Sequence, residues 1–314
     1  MSPSRWFAAL VVAGALGAAP AHASDKPRPD KVSFYFAAHA DDWQLFMNPS
    51  AFEDVAETAA KTVFIHLTAG DAGLGAGGGG RKHPFYLARE NGAESAVRFM
   101  ADADDIPVEK TVTQTSVNGH AIYRIAYRQT VSYFLRLPDG HGSGSGYAET
   151  GFQSLERFAR GEVDSMTAVD GTGTYRGWGD LVATLRGIMM QERGRTALVQ
   201  INVPELDDKI NPGDHSDHRM TARAALEASR DMSCVRRVHY VNYASSRLPE
   251  NLNPHQRDRE SSVFAVTLAG VLAFDHRVSW HHYDHSFVGR NYFRVEEPGA
   301  ICTQPGAAVS VIAR

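Results

Sequence analysis

The stretch Val32-Ser-Phe-Tyr-Phe-Ala-Ala38 runs straight into His39-Ala-Asp-Asp42. Its first half is short, apolar and rich in β-branched and aromatic residues, which reads as a buried strand. Its second half sets an imidazole and two adjacent carboxylates at the strand's end, where burial is costly unless something pairs with them. Asn48–Ala60 then reads as a helix and Thr62–Leu67 as a second strand. Strand, loop, helix and strand at this spacing predict a βαβ crossover. The fold class that follows is α/β, a mostly parallel sheet with helices on both faces.

Working outward, Thr68–His83 is a glycine-dense loop without the GxGxxG spacing of a dinucleotide site. Such a loop is mobile or lets the backbone approach a ligand closely. Tyr86–Met100 has helical apolar spacing. Thr111–Pro138 alternates, with Asn118-Gly119 as a hairpin turn. Asp139–Gly146 and Thr167–Gly179 read as loops around a short helix near Gln153–Arg160. The α/β rhythm then resumes with helix Trp178–Arg193, strand Thr196–Val203, helix His218–Arg230, strand Arg237–Tyr243 and helix Arg257–Phe274. His276–Val295 reads as strand and loop. With no internal repeat and no low-complexity linker, Ser24–Arg314 is expected to be a single domain. Thr111–Gly179 is expected to be a hairpin and loop insertion at the rim of the sheet that shapes the substrate site.

The start of the chain is a separate matter. Arg5, an apolar run from Trp6 to Ala19 and the small-x-small tripeptide Ala21-His-Ala23 form a secretory signal over residues 1–23. Cleavage after Ala23 predicts a secreted or periplasmic protein. The apolar run is shorter than the roughly 20 residues of a spanning helix, so no membrane span is expected. No cysteine follows the cleavage site to carry a lipid. A net charge of −4 without basic blocks argues against nucleic acid or an anionic membrane as partner, and nothing implies a protein partner. The only cysteines are Cys234 and Cys302, an even pair expected to form a disulfide in an exported chain, with two buried thiols as the alternative.

A second polar cluster, Asp214, His215, Asp217 and His218, follows the strand Thr196–Val203 and opens a helix. In an open parallel sheet, ligands bind outside the carboxyl ends of the strands. Both clusters follow strands, so both are expected on that rim. Imidazole nitrogen and carboxylate oxygen suit zinc, and a catalytic site supplies three protein ligands and leaves a position for water. His39 and Asp42, three apart on a turn, and His218 make such a set. Asp41 points elsewhere and is free to take a proton from the attacking water. His215 faces the substrate, with Asp217 available to fix its tautomer.

"AHADD" (Ala38–Asp42) and "HSDH" (His215–His218) together resemble the paired signature of the PIG-L/LmbE family, zinc-dependent deacetylases of N-acetylglucosamine-type amines. "FIHLTAGDAG" (Phe64–Gly73) is similar to that family's second strand and following loop, and the resemblance runs from Lys31 to about Tyr243. It implies a Rossmann-like sheet and one Zn2+ per chain, with another divalent metal as an alternative. The ligands would be His39, Asp42 and His218, the general base Asp41, and the oxyanion stabiliser or acid His215. The implied substrate is an amino sugar or N-acetylglucosamine-containing glycan. Longer N-acyl chains, antibiotic-like glycosides, or a non-catalytic carbohydrate-binding role are the alternatives. Two positions depart from the usual Ala-His-Pro-Asp-Asp-Glu: Ala40 stands for proline and Trp43 for the acid. Trp43 either stacks on a sugar or packs under the loop.

Arg89 opens the helix after the glycine-rich loop, where the family often carries a substrate-contacting arginine; the alternative is a solvated arginine paired with Glu90 or Glu94. The run His281–His285 is a second metal site, a substrate wall or, more simply, a histidine-rich surface strand. Tyr283, with Tyr175, Trp178 and Tyr292, is a candidate for stacking on carbohydrate or for the core.

Overall fold

The computed structural model describes residues 29–298 apart from 58, 104 and 279, together with Cys302. In chain order the strands are β1 (Lys31–Ala37), β2 (Ala60–Thr68), β3 (Thr111–Val117), β4 (His120–Tyr127), β5 (Thr130–Leu137), β6 (Ser165–Thr167), β7 (Thr174–Arg176), β8 (Leu198–Pro204), β9 (Val235–Tyr240) and β10 (Phe293–Glu296). The helices are α1 (Asp42–Phe46), α2 (Ser50–Ala56), α3 (Phe85–Ala101), α4 (Leu155–Ala159), α5 (Trp178–Arg193), α6 (Ser216–Ala228), α7 (Pro254–Ala273) and α8 (Trp280–Ser286). Eight strands form one sheet in the order β10-β9-β8-β1-β2-β5-β4-β3, and β6 pairs with β7. The five central strands run parallel. The outer pairings, β9 with β10, β5 with β4 and β4 with β3, are antiparallel.

Strand β1 shows why the sheet is covered on both sides. Its side chains alternate, and both sets are apolar. Val32, Phe34 and Phe36 pack into a core with Leu181, Leu185 and Ile188 of α5 and Ala222 and Ala225 of α6. Tyr35 and Ala37 pack into another with Ala96 and Val97 of α3 and Val263 and Phe264 of α7. The fold is α/β, as the alternation of elements predicts, and Rossmann-like, as the family resemblance implies. None of the described helices is long and apolar enough to cross a membrane. The signal segment expected over residues 1–23 lies outside the described residues.

Two readings of the sequence need correction. Strand β5 is not part of a peripheral insertion: it pairs with β2 along its length and every residue of it is buried. The Asn118-Gly119 turn is present, with both residues at positive φ as a two-residue hairpin requires, and β3 and β4 do form the sheet's edge. The hairpin therefore ends in a core strand, whose carboxyl end falls on the same rim as those of β1 and β8. The histidine run His281–His285 is not a strand but helix α8. The disulfide Cys234–Cys302 is formed, joining residues 68 apart in sequence.

Candidate metal centre

At the carboxyl end of β1 the chain turns tightly. The Asp42 amide donates to the His39 carbonyl at 3.4 Å, and the His39 amide donates back to Asp42 Oδ2 at 2.7 Å. One carboxylate oxygen is thus committed to the backbone. The other, Oδ1, lies 3.3 Å from His39 Nδ1 and 3.2 Å from His218 Nε2. His218 arrives from the first turn of α6, at the end of the β8 crossover. Asp42, His39 and His218 are nearly or fully buried, and one ligand atom from each falls within 4.8 Å of the others.

Each imidazole has a carboxylate behind it. Asp214 Oδ1 lies 2.8 Å from His218 Nδ1, which leaves Nε2 facing Asp42. Asp217 Oδ2 lies 3.4 Å from His39 Nε2 and is held by the Gly140 amide at 2.8 Å. Carboxylates that fix the far nitrogen of a ligating histidine are the usual outer support of a metal site. Burial opposes protonation of both rings, but the carboxylates outweigh it. Asp42, Asp217 and Asp139 hold His39 well above the ordinary histidine value. Asp214 and Asp42 raise His218 to about 10. Asp42 itself, despite burial, is held well below the carboxylate range by the two imidazoles. The carboxylates around the two rings favour positive charge there, as a cation site requires. Two imidazole nitrogens and one carboxylate oxygen, with an open cleft beside them, fit zinc or a similar divalent ion.

That cleft has a volume of about 420 Å³ out to open solvent, and His39, Asp41, Asp42, Arg89, Asp139 and His215 are among its walls. Asp41 immediately precedes α1 and turns into the cleft, where Arg89 of α3 pairs with it directly. Arg89 therefore meets Asp41, not Glu90 or Glu94. His215 caps α6: its Nδ1 accepts from the Asp217 amide at 3.1 Å. A ring whose Nδ1 accepts carries its hydrogen on Nε2. Burial, with the charge of His39 and His218, pushes His215 down to about 2, so this ring is neutral. The structure thus gives Asp217 a different place from the one expected. Its backbone, not its carboxylate, sets the His215 tautomer, and the carboxylate lies nearer His39 than His215, at 3.4 against 3.9 Å.

Tyr283 reaches the cleft wall. Trp43 does not. It is fully buried against Phe64, with ring centroids 4.5 Å apart, and donates from Nε1 to His66 at 3.1 Å. It packs under the loop, and a sugar cannot reach it. Tyr175 is core, stacked on His120. Trp178 donates to Glu227 and Tyr292 to the Pro249 carbonyl, away from the cleft. Among the described residues, no histidine of the 281–285 run belongs to a group able to hold a metal.

Asp139 was not foreseen. It follows β5, lines the cleft, and its Oδ2 lies 3.9 Å from His39 Nε2; it also belongs to a second metal-capable group with His39, His215 and Asp217. The signal that points to it is the same strand-end rule that finds His39, applied to β5. Tyr243, on the turn after β9, is a second unforeseen wall residue, its ring 5.1 Å from that of His218.

No protein-family model matches the chain, and no curated protein does. Among solved structures the chain is similar to an inhibitor complex of N,N'-diacetylchitobiose deacetylase from Pyrococcus horikoshii, at 14% identity and a TM-score of 0.47 over 85% of this chain and 84% of that one. It is also similar to the 4-carboxy-2-hydroxymuconate hydratase GalB from Pseudomonas putida KT2440, at 13% identity and a TM-score of 0.40 over 82% of each chain. Likenesses of this size decide nothing about the chemistry of this chain.

Proposed function

We propose that this protein is a zinc-dependent amide hydrolase that removes an N-acetyl-type group from an amino sugar or an N-acetylglucosamine-containing glycan. The observation that carries the reading is the buried His39–Asp42–His218 set opening onto a cleft that also holds Asp41, Arg89 and a neutral His215. His39 Nδ1, Asp42 Oδ1 and His218 Nε2 would hold the ion. Bound there, it supplies Lewis acidity, which lowers the pKa of a water and polarises a carbonyl.

The rest of the chemistry falls to the side chains. Asp41 is adjacent to a ligand in sequence but faces the cleft, so it is placed to take the proton from the attacking water and return it to the departing amine. His215, with its hydrogen on Nε2, donates to the carbonyl oxygen as negative charge grows there. A neutral donor whose other nitrogen is pinned by a backbone amide cannot flip its tautomer. Arg89 holds Asp41 in position. We further propose that the mature protein begins at Ser24 outside the cytoplasm; the signal pattern of residues 1–23 and the Cys234–Cys302 bond support this.

The test pairs metal content with turnover. Zinc-loaded protein should hold about one ion per chain and release free amine from N-acylated amino sugars. Asp41→Asn should keep the ion yet lose at least about 10²-fold in rate, whereas Asp42→Ala should lose both together. An Asp41→Asn protein with undiminished turnover, or zinc-loaded protein inert on every amide, would overturn the assignment.

A further inference from the structure

The cleft continues past Asp41. A second hollow, with an open volume of about 490 Å³, shares Asp41, Arg89 and Tyr283 with the cleft, and its other walls include Phe85, Leu268 and Val271, with the exposed Arg277 among them. Thr267 contributes too, but its hydroxyl donates to the Val263 carbonyl within α7 at 2.9 Å, so it offers little polarity. The contrast with the first hollow is chemical. The first is lined mainly by imidazoles, carboxylates and a guanidinium; here Phe85, Leu268, Val271 and Val278 form an apolar wall, with Asp41, Arg89 and Arg277 as its charged members.

The hollow is built on rigid parts. Helices α3 and α7 cross closely where Gly92 meets Gly270, and a Cβ on Gly270 would stand 2.7 Å from the Gly92 Cα. The Asn91 side chain donates across the same seam to the Gly270 carbonyl at 2.8 Å. With backbones in contact just below, the walls cannot close up by sliding together.

The two hollows meet at Asp41, the residue to which the hydrolase reading assigns the attacking water. The carbonyl carbon under attack must therefore sit near that junction, and its two substituents must point into different hollows. A sugar on the nitrogen needs hydrogen-bond partners and belongs with Asp139 and His215. The acyl chain needs none and belongs between Phe85 and Leu268. Resting on that reading, we propose that the second hollow is an acyl-chain site, and that the preferred substrate is an amino sugar bearing an N-acyl chain several carbons longer than acetyl. An acetyl methyl group would leave most of this surface uncovered. Each methylene buried there adds roughly fourfold to affinity or kcat/KM, by the usual transfer free energy.

The experiment is a chain-length series on the zinc-loaded protein: N-acetyl-, N-butanoyl-, N-hexanoyl- and N-octanoylglucosamine, with octyl N-acetylglucosaminide as the apolar-aglycone control. We expect kcat/KM to rise at least about tenfold from acetyl to hexanoyl, with KM carrying most of the gain. Binding of hexanoyl- against acetylglucosamine to the Asp41→Asn protein, read by calorimetry, should show the same order. Leu268→Trp, which narrows the hollow, should cut the hexanoyl-to-acetyl ratio at least about tenfold. Fastest cleavage of the acetyl compound would overturn the acyl site while leaving the hydrolase standing. So would a gain only with the octyl glycoside, which would assign the hollow to the aglycone. No cleavage of any of them by metal-loaded protein would remove the hydrolase reading and the acyl site with it.

Discussion

His39 and His218 each spend one ring nitrogen on a carboxylate and turn the other towards Asp42. The surrounding carboxylates raise His218 to about 10 and raise His39 as well, so a metal competes with protons for these nitrogens. A metal must expel those protons, so its apparent affinity should climb as pH rises from 6 to 8; a flat profile in chelator competition would contradict the ligand set. The supporting carboxylates can be tested apart from the ligands. Asp214→Asn and Asp217→Asn should each weaken zinc binding about 10- to 100-fold without removing a ligand, and unchanged zinc affinity in Asp217→Asn would return that residue to the His215 role. The ligands themselves were legible in the sequence because strand ends and a helix start are local features. The partner of Asp217 was not, because which nitrogen of which ring faces a carboxylate depends on three segments meeting. Asp139 escaped for a simpler reason: β5 reads as a hairpin arm, so the strand-end rule, which finds the aspartate after it, is not applied there.

The α3–α7 seam shows how two elements set a site neither contains alone. Alanine is the better helix former by about 1 kcal/mol, so propensity favours Gly270→Ala. Sterics oppose it, since the added carbon would meet the Gly92 Cα at 2.7 Å and the Asn91 carbonyl oxygen at 2.8 Å, and backbone cannot swing aside as a side chain can. We expect the clash to win, costing about 1–3 kcal/mol as overpacking does; a melting temperature equal to or above the parent would show the seam to be loose. Helix α7 also buries Glu260, whose Oε2 accepts from the Gly289 amide at 2.6 Å. Burial pushes this carboxyl up to about 9, against the pull of that amide and of Arg257 and Arg290. Because the folded value lies above the ordinary 4.5, the fold takes up a proton that the unfolded chain does not. Its stabilising share is full below about pH 4.5 and is lost as pH rises towards 9. Glu260→Gln keeps an acceptor for Gly289 without that proton, so its melting temperature should fall less between pH 6 and 9 than the parent's. Parallel curves would place the titration elsewhere. Long periodic elements such as α3 and α5 could be read almost to the residue. Strand β5 was read as the last arm of a hairpin because its antiparallel pairing with β4 is real, and nothing local says that its other edge joins β2. Helix α8 was hidden by its histidines, which mask a short helix that packs Tyr283 against Phe264 and Phe287.

Across the whole molecule the chemistry and the covalent tie lie at opposite rims of the sheet. The candidate metal ligands gather at the carboxyl ends of β1 and β8, with Asp139 following β5. Cys234 precedes β9, at the amino end of a parallel strand, and Cys302 follows β10, the antiparallel strand that closes that edge. The bond therefore adds a covalent tie to a four-residue edge strand that also pairs with β9 and reaches Glu205 through Arg294. Sequence alone allowed the pairing, from an even cysteine count and an expected export signal, but not its purpose, which depends on β10 lying beside β9. Closing a loop of this length is worth about 2–4 kcal/mol, chiefly by restricting the unfolded chain. At about 2–4 °C per kcal/mol for a domain somewhat smaller than this one, a loss of several degrees in melting temperature follows when the bond is absent. Cys234→Ser and Cys302→Ser should show equal losses, and the double variant no more than either, because all three remove the same bond. Zinc affinity and turnover at 25 °C should stay at the parent level, since the rim that holds them is built from other strands. A drop in zinc affinity that tracks the loss of the bond would mean that the edge strand and the metal centre are coupled through β9, and the separation of tie from chemistry would fail.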